Sequence, residues 1–154
     1  MSGTAITVTV DDREIRALLA SVRSRLGGTR PLMRTIGEVV RSSVERNFAA
    51  QGRPTRWEPS QRVKDEGGQT LSDTGRLRRS ITVAAGDGWA SVGTNVVYAA
   101  IHQFGGTIRP KTAKALKTPY GTFKSVALPA RPFLIVQDED WAEIKAAIND
   151  FLVG

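Results

Sequence analysis

Apolar residues recur at helical spacing in three stretches of this sequence, and the chain between the second and third breaks that period with glycine and proline. Ile15, Leu18, Leu19, Val22 and Leu26 form the first stretch, which Asp11 or Asp12 can cap and Gly27-Gly28 ends. The second starts near Pro31, a good first-turn residue, and runs through Ile36, Val39, Val40, Val44 and Phe48 to about Gln51-Gly52. The third covers 138–152, with Trp141, Ile144, Ile148, Phe151 and Leu152 on one face and acids in the first turn, where they suit the helix dipole. On the second helix, Glu38 with Arg41 and Arg41 with Glu45 are three and four residues apart, which reads as a solvated ion-pair face.

The remaining segments have strand and turn character. Ala5 to Val10 alternates, with Ile6, Val8 and Val10 on one side, and predicts a half-buried strand. Ser80 to Ala85 and Trp89 to Gly93 flank Gly86-Asp87-Gly88 and predict a β-hairpin. Ala115 to Lys117 and Phe123 to Leu128 about Thr118-Pro119-Tyr120-Gly121 predict another. Thr74 to Arg79 reads as a helical turn with Leu77 pointing inward, and Val96 to Phe104 as a short helix closed by Gly105-Gly106. The fold class is therefore α+β: one domain over 1–154, an antiparallel sheet with helices packed on one face. A β-hairpin or loop extension, strongly basic, spans 107–127.

Residues 51–70 lose all periodicity and form a long loop, expected to be mobile. Two outcomes stay open: a segment that orders on a partner, and plain disorder. Trp57 decides between them, because an indole is poorly placed in a solvated loop unless it packs on the domain or on a neighbour.

Among 154 residues there is one histidine and no cysteine, which excludes disulfides and thiolate metal sites. His102 has no HxxxH or DxD pattern beside it, no GxSxG elbow is present, and neither Gly67-Gly68-Gln69-Thr70 nor Gly105-Gly106-Thr107-Ile108 fits a phosphate-cradling loop. The expectation is a protein that is not an enzyme and holds no metal or cofactor. Met1-Ser2-Gly3-Thr4-Ala5 lacks the features of a signal peptide, and no apolar run approaches the roughly 20 residues that span a bilayer. A soluble protein of the cytoplasm, without a membrane partner, is expected.

The formal net charge of +7 is unevenly placed. From Thr107 to Pro132 the chain carries Arg109, Lys111, Lys114, Lys117, Lys124 and Arg131 with no acid, whereas Asp138, Glu139, Asp140 and Glu143 crowd the start of the last helix. Such polarity can be complementary between copies in an assembly, or can simply be solvated faces. With Tyr120 and Phe123 interleaved, the basic stretch also admits a second function, a nucleic-acid-binding module without sequence specificity.

Three ordered segments carry a resemblance. They are Leu71-Ser72-Asp73-Thr74-Gly75-Arg76-Leu77-Arg78-Arg79-Ser80-Ile81, then Val92-Gly93-Thr94-Asn95-Val96-Val97-Tyr98-Ala99-Ala100-Ile101-His102-Gln103-Phe104-Gly105-Gly106, then Leu128-Pro129-Ala130-Arg131-Pro132-Phe133-Leu134. Together with Phe48, Pro54 and Trp57 they are similar to the phage virion morphogenesis family, the tail-completion or tail-terminator proteins of Mu-like tailed bacteriophages. The resemblance implies a structural virion subunit that forms a homo-oligomeric, sixfold ring at the head-proximal end of the tail. Its implied partners are the tail tube protein and the head-tail connector or neck protein, with DNA passing nearby and not as a specific ligand. The implied location is the virion tail or neck, after assembly in the host cytoplasm. Terminator, connector and assembly-factor roles stay open.

Interface or structural roles are expected at Trp57, Arg76, Leu77, Tyr98, His102, Phe104, Arg109, Lys111, Lys114, Arg131, Phe133, Asp138 and Asp140. Thr74 should cap the turn that Leu77 anchors, with Arg76 outside. Tyr98, Ile101 and Phe104 share a helical face, and His102 beside Tyr98 reads as a hydrogen-bonded packing residue. Residues before prolines are pushed from helix, so Pro129 to Phe133 should be extended. There Arg131 is expected in a fixed salt bridge, within a subunit or across an interface, and Phe133 in the core.

Overall fold

The computed structural model describes residues 12–26 and 28–153, the side chains of 22–26 excepted. The strand expected at Ala5 to Val10 lies outside these residues. Among them the elements run α1 (Arg13–Leu26), α2 (Arg30–Ala49), α3 (Gln61–Glu66), α4 (Arg76–Arg79), β1 (Thr82–Gly86), β2 (Trp89–Gly93), α5 (Ala99–Phe104), β3 (Gly106–Ile108), β4 (Leu116–Thr118), β5 (Gly121–Phe123), β6 (Val126–Leu128) and α6 (Asp138–Val153). The protein is α+β, as expected.

Helix α2 is the spine. Its apolar period gives one end to each of two core clusters. Val44 and Phe48 pack with Trp57, Leu77, Val96 and Phe133, while Leu32 and Met33 pack with Ile15, Ile144 and Ile148 of α1 and α6. Asp12 Oδ1 accepts from the backbone N–H of Glu14 and of Ile15, which caps α1 and settles the choice between Asp11 and Asp12. The start of α2 is held from afar. Thr29, its N-cap, gives its N–H and its hydroxyl to Asp87 in the β1–β2 turn at 2.9 and 2.8 Å, and its Oγ1 accepts from Gly88 N at 2.7 Å. The hairpin can lie against α2 because Gly37 has no side chain: a Cβ there would meet Val83 Cγ1 at 2.5 Å.

The β structure differs from the single sheet expected. Among the described residues there are three separate two-stranded antiparallel ladders, β1–β2, β3–β6 and β4–β5. The first is the expected hairpin, with Gly86 inside the ladder opposite Trp89 and only Asp87-Gly88 in the turn. The stretch 123–128 is not one strand. Leu116 pairs with Phe123 across the Pro119-Tyr120 turn, whereas Val126 to Leu128 pair back with Ile108 to Gly106. The 107–127 extension is therefore two successive ladders, with Lys124 and Ser125 as the break between them. Short strands with exposed faces bury too little to join into a larger sheet.

Residues 51–70 are anchored on the domain itself. Trp57 is buried edge-on to Phe48, its Nε1 donates to Pro132 O at 3.1 Å, and buried Thr70 closes the segment through its N–H to Gln51 Oε1 at 3.1 Å. Within it lies α3, capped by Ser60 Oγ accepting from Val63 N. The polar spacing hid this helix because none of its residues is buried.

Candidate assembly surface

The extended run 129–134 organises the surface around it. Among the described residues no strand pairs with it, so its backbone groups need other partners. Gln103 supplies most of them: its Oε1 accepts from Phe133 N and Leu134 N, both at 3.0 Å, and its Nε2 donates to Leu134 O at 2.9 Å. Asn47 Nδ2 donates to Phe133 O at 2.8 Å, and Arg131 N donates to His102 O at 2.7 Å. Phe133 itself is fully buried against Phe48, ring centroids 5.4 Å apart, as the sequence predicts.

Arg131 departs from expectation. It is 4% exposed, and no carboxylate among the described residues lies within ion-pair distance. Its Nε donates instead to the backbone carbonyl of Glu58 at 2.7 Å. Burial pulls its pKa down, and the charge of Glu58 only partly opposes this.

Helix α5 begins at Ala99, not at residue 96, and its inward face is Ala99 and Gln103. The Tyr98, Ile101 and Phe104 side of the turn therefore looks outward, with Phe104 65% exposed. His102 packs edge-on to Tyr98 at 5.9 Å, but its Nδ1 is buried without a hydrogen-bond partner, which corrects the hydrogen-bonded role expected. Burial, then the positive charge of Arg131, lowers its pKa from the usual 6.5. A group with a depressed folded-state pKa contributes stability that is present above the unfolded value and lost as pH falls through the folded one. Thermal melts from pH 7.5 downward should therefore show a loss below about pH 6.5 that is absent in His102→Phe, a variant expected to be near wild type at pH 7.5. Parallel pH profiles for the two proteins would contradict this.

In front of this floor lies a cleft of about 640 Å³ between residues 60–77 and the extension. Leu71, Leu77, Tyr98, Tyr120, Phe123 and Leu128 line it, with His102 and Arg131 beneath and Arg62 and Arg76 at its edge. Arg76 stands outside as expected, 5.8 Å from the Tyr98 ring centre, in the turn that Thr74 Oγ1 caps and the left-handed Gly75 (φ 77°) enters. Ile108, Tyr120 and Phe123 leave apolar surface on the extension, beside exposed Arg109, Lys111, Lys114, Lys117 and Lys124.

The acidic end of α6 is engaged internally. Asp140 is fully buried: its Oδ2 accepts from Ser43 Oγ and from Gln137 N, and its Oδ1 lies 3.4 Å from Arg46. Arg53 holds Glu139, Ser43 and Asn47 together, and Arg46 also faces Glu143 at 3.6 Å. Asp138 alone of the four acids at the start of α6 stays exposed without an ion pair among the described residues. Nothing local in the sequence marks Arg53 or Gln103 as an organising residue. Only the i, i+4 spacing of Ala99 and Gln103 hinted that a glutamine faces inward.

Among the described residues no cluster of His, Asp and Glu is placed to hold a metal, and no helix is long and apolar enough to cross a membrane. A model of the phage virion morphogenesis family matches residues 10–153. The chain belongs to that family. Family relatives include the "Mu-like prophage FluMu G protein 2" of Haemophilus influenzae, 40% identical over 139 residues, which are 90% of this chain and 89% of the relative. The "Putative capsid assembly protein G" of Escherichia phage Mu is 31% identical over 155 positions, covering 94% of this chain and 92% of that protein. No solved structure matches. The protein is thus a bacteriophage virion morphogenesis protein, and its role is structural at that level.

Proposed function

We propose that this morphogenesis protein is a tail-completion subunit, and that its copies close into a sixfold ring at the head-proximal end of the tail, between the tail tube and the head connector. The observation that carries the reading is the outward apolar side of α5 and the extension, Tyr98, Phe104, Ile108, Tyr120 and Phe123, in a chain of this family. Large exposed apolar side chains are costly for a free monomer and useful in an assembly. The densest basic surface, Lys111, Lys114 and Lys117, faces away from the bore in this account, since strong attraction to passing phosphate would hinder DNA movement.

Electron microscopy of particles made without the protein tests this. Filled heads with unjoined or overlong tails are expected. Missing or malformed heads would instead assign it the capsid role that the phage Mu relative's name carries. The five exposed cations of the extension favour a second reading, a nucleic-acid contact without sequence preference. Tight duplex binding at physiological salt with a steep salt slope would support that reading, and negligible binding would support the first.

A further inference from the structure

The sequence leads one to expect a salt bridge at Arg131 from inside the subunit or from across an interface, and none is made among the described residues. Its side chain lines the cleft, and its direct partner is the Glu58 carbonyl, while the more distant Glu58 carboxylate only partly offsets the burial of its charge. Glu58 is exposed, with its carboxylate 3.9 Å from Lys64. A cation removed from water and left unpaired is unfavourable, and a carboxylate brought to it gains from the low dielectric of the same site.

We propose that this cleft is a docking site for a segment of a different virion protein in which one carboxylate sits among apolar side chains, the carboxylate pairing with Arg131. The inference rests on the reading of the protein as an assembly subunit. The walls, Leu71, Leu77, Tyr98, Phe123 and Leu128, accept apolar side chains, and at the mouth Arg76 adds positive charge while Arg62 faces Asp73, which also lines the cleft, at 3.9 Å. The cleft's volume, 640 Å³, falls in the range of about 300–1,000 Å³ typical of built ligand sites.

The setting of the carboxylate decides the source of the occupant. A second copy fits less well: its exposed carboxylates lie in polar stretches, as at Asp65, Glu66 and Asp138, or, at Asp150, on a helix whose apolar side already packs in its own core. A phosphate backbone suits the outside of the extension better, because none of its lysines lines the cleft and the cleft walls are apolar.

The test uses the full chain, isotopically labelled, and two blocked tetrapeptides of leucines and phenylalanine that differ only in one glutamate or glutamine. Titrated to millimolar concentration, the glutamate peptide should shift the Arg131 Nε–H resonance and the methyls of Leu77 and Leu128. It should bind about tenfold tighter than the glutamine peptide, an advantage that Arg131→Gln removes. The peptide pair needs no altered protein, so misfolding of the variant would not spoil the comparison. Equal binding of the two peptides, or no binding, would overturn the proposal. So would the same resonances moving with a duplex oligonucleotide, which assigns the cleft to nucleic acid, or with protein concentration, which assigns it to a second copy. Should the peptides fail while particles lacking the protein still show unjoined tails, the docking site falls and the tail-completion reading stands.

Discussion

Phe133→Ala should lower the free energy of unfolding by about 3–5 kcal/mol, the range for truncating a buried phenylalanine to alanine. The ring is completely buried in the cluster that joins α2, Trp57 and Leu77, and it contacts Phe48 directly. Little can collapse into the hole, because Phe48 and Trp57 are themselves held, Trp57 by its hydrogen bond to Pro132 O. Against a typical domain stability of about 5–15 kcal/mol, such a loss removes a large part of the total. Urea denaturation followed by tryptophan fluorescence checks it, and a change below about 1 kcal/mol would mean that the cluster is not the core described.

Gln103→Leu should cost about 3 kcal/mol despite similar bulk and greater hydrophobicity, because it leaves two buried N–H groups and one carbonyl unpaired. These groups are Phe133 N, Leu134 N and Leu134 O, which in the native protein all bond to the one side-chain amide. Amide exchange at Phe133 and Leu134 should speed up in the leucine variant. If the leucine variant is as stable as wild type, the extended run is held by something other than Gln103.

Both sites show where a sequence of this kind stops being readable. Periodicity locates α1, α2 and α6 because each places apolar residues on one face at 3.6-residue spacing, and residues of each face pack in the core, in α1 Ile15, Leu18 and Leu19. The Asp87-Gly88 hairpin was legible for the same reason, alternating residues about a glycine turn. Residues 96–104 misled, since Tyr98, Ile101 and Phe104 keep helical spacing while the inward side is Ala99 and a polar glutamine. A period marks an apolar stripe and does not say whether the core or a partner covers it. Charges were harder still. Asp138, Glu139, Asp140 and Glu143 look like one acidic patch in sequence, yet Asp140 is a buried hydrogen-bond centre and Glu139 and Glu143 face Arg53 and Arg46. Those partners come from α2 and the loop after it, roughly ninety positions away, and nothing local records the pairing. Arg131 is the converse case: a buried cation was expected to be paired, and the fold leaves its counter-ion unspecified.

The central claim is that this chain's exposed apolar side fits protein against protein at the junction of tail and head. Cryo-electron microscopy of intact virions tests it most directly. The account predicts a closed ring of copies of this protein at the head-proximal end of the tail, with Tyr98, Phe104 and the 107–127 extension in contact with neighbouring chains. Virions in which the protein is absent from that junction, or present with those residues bare to solvent, would contradict it.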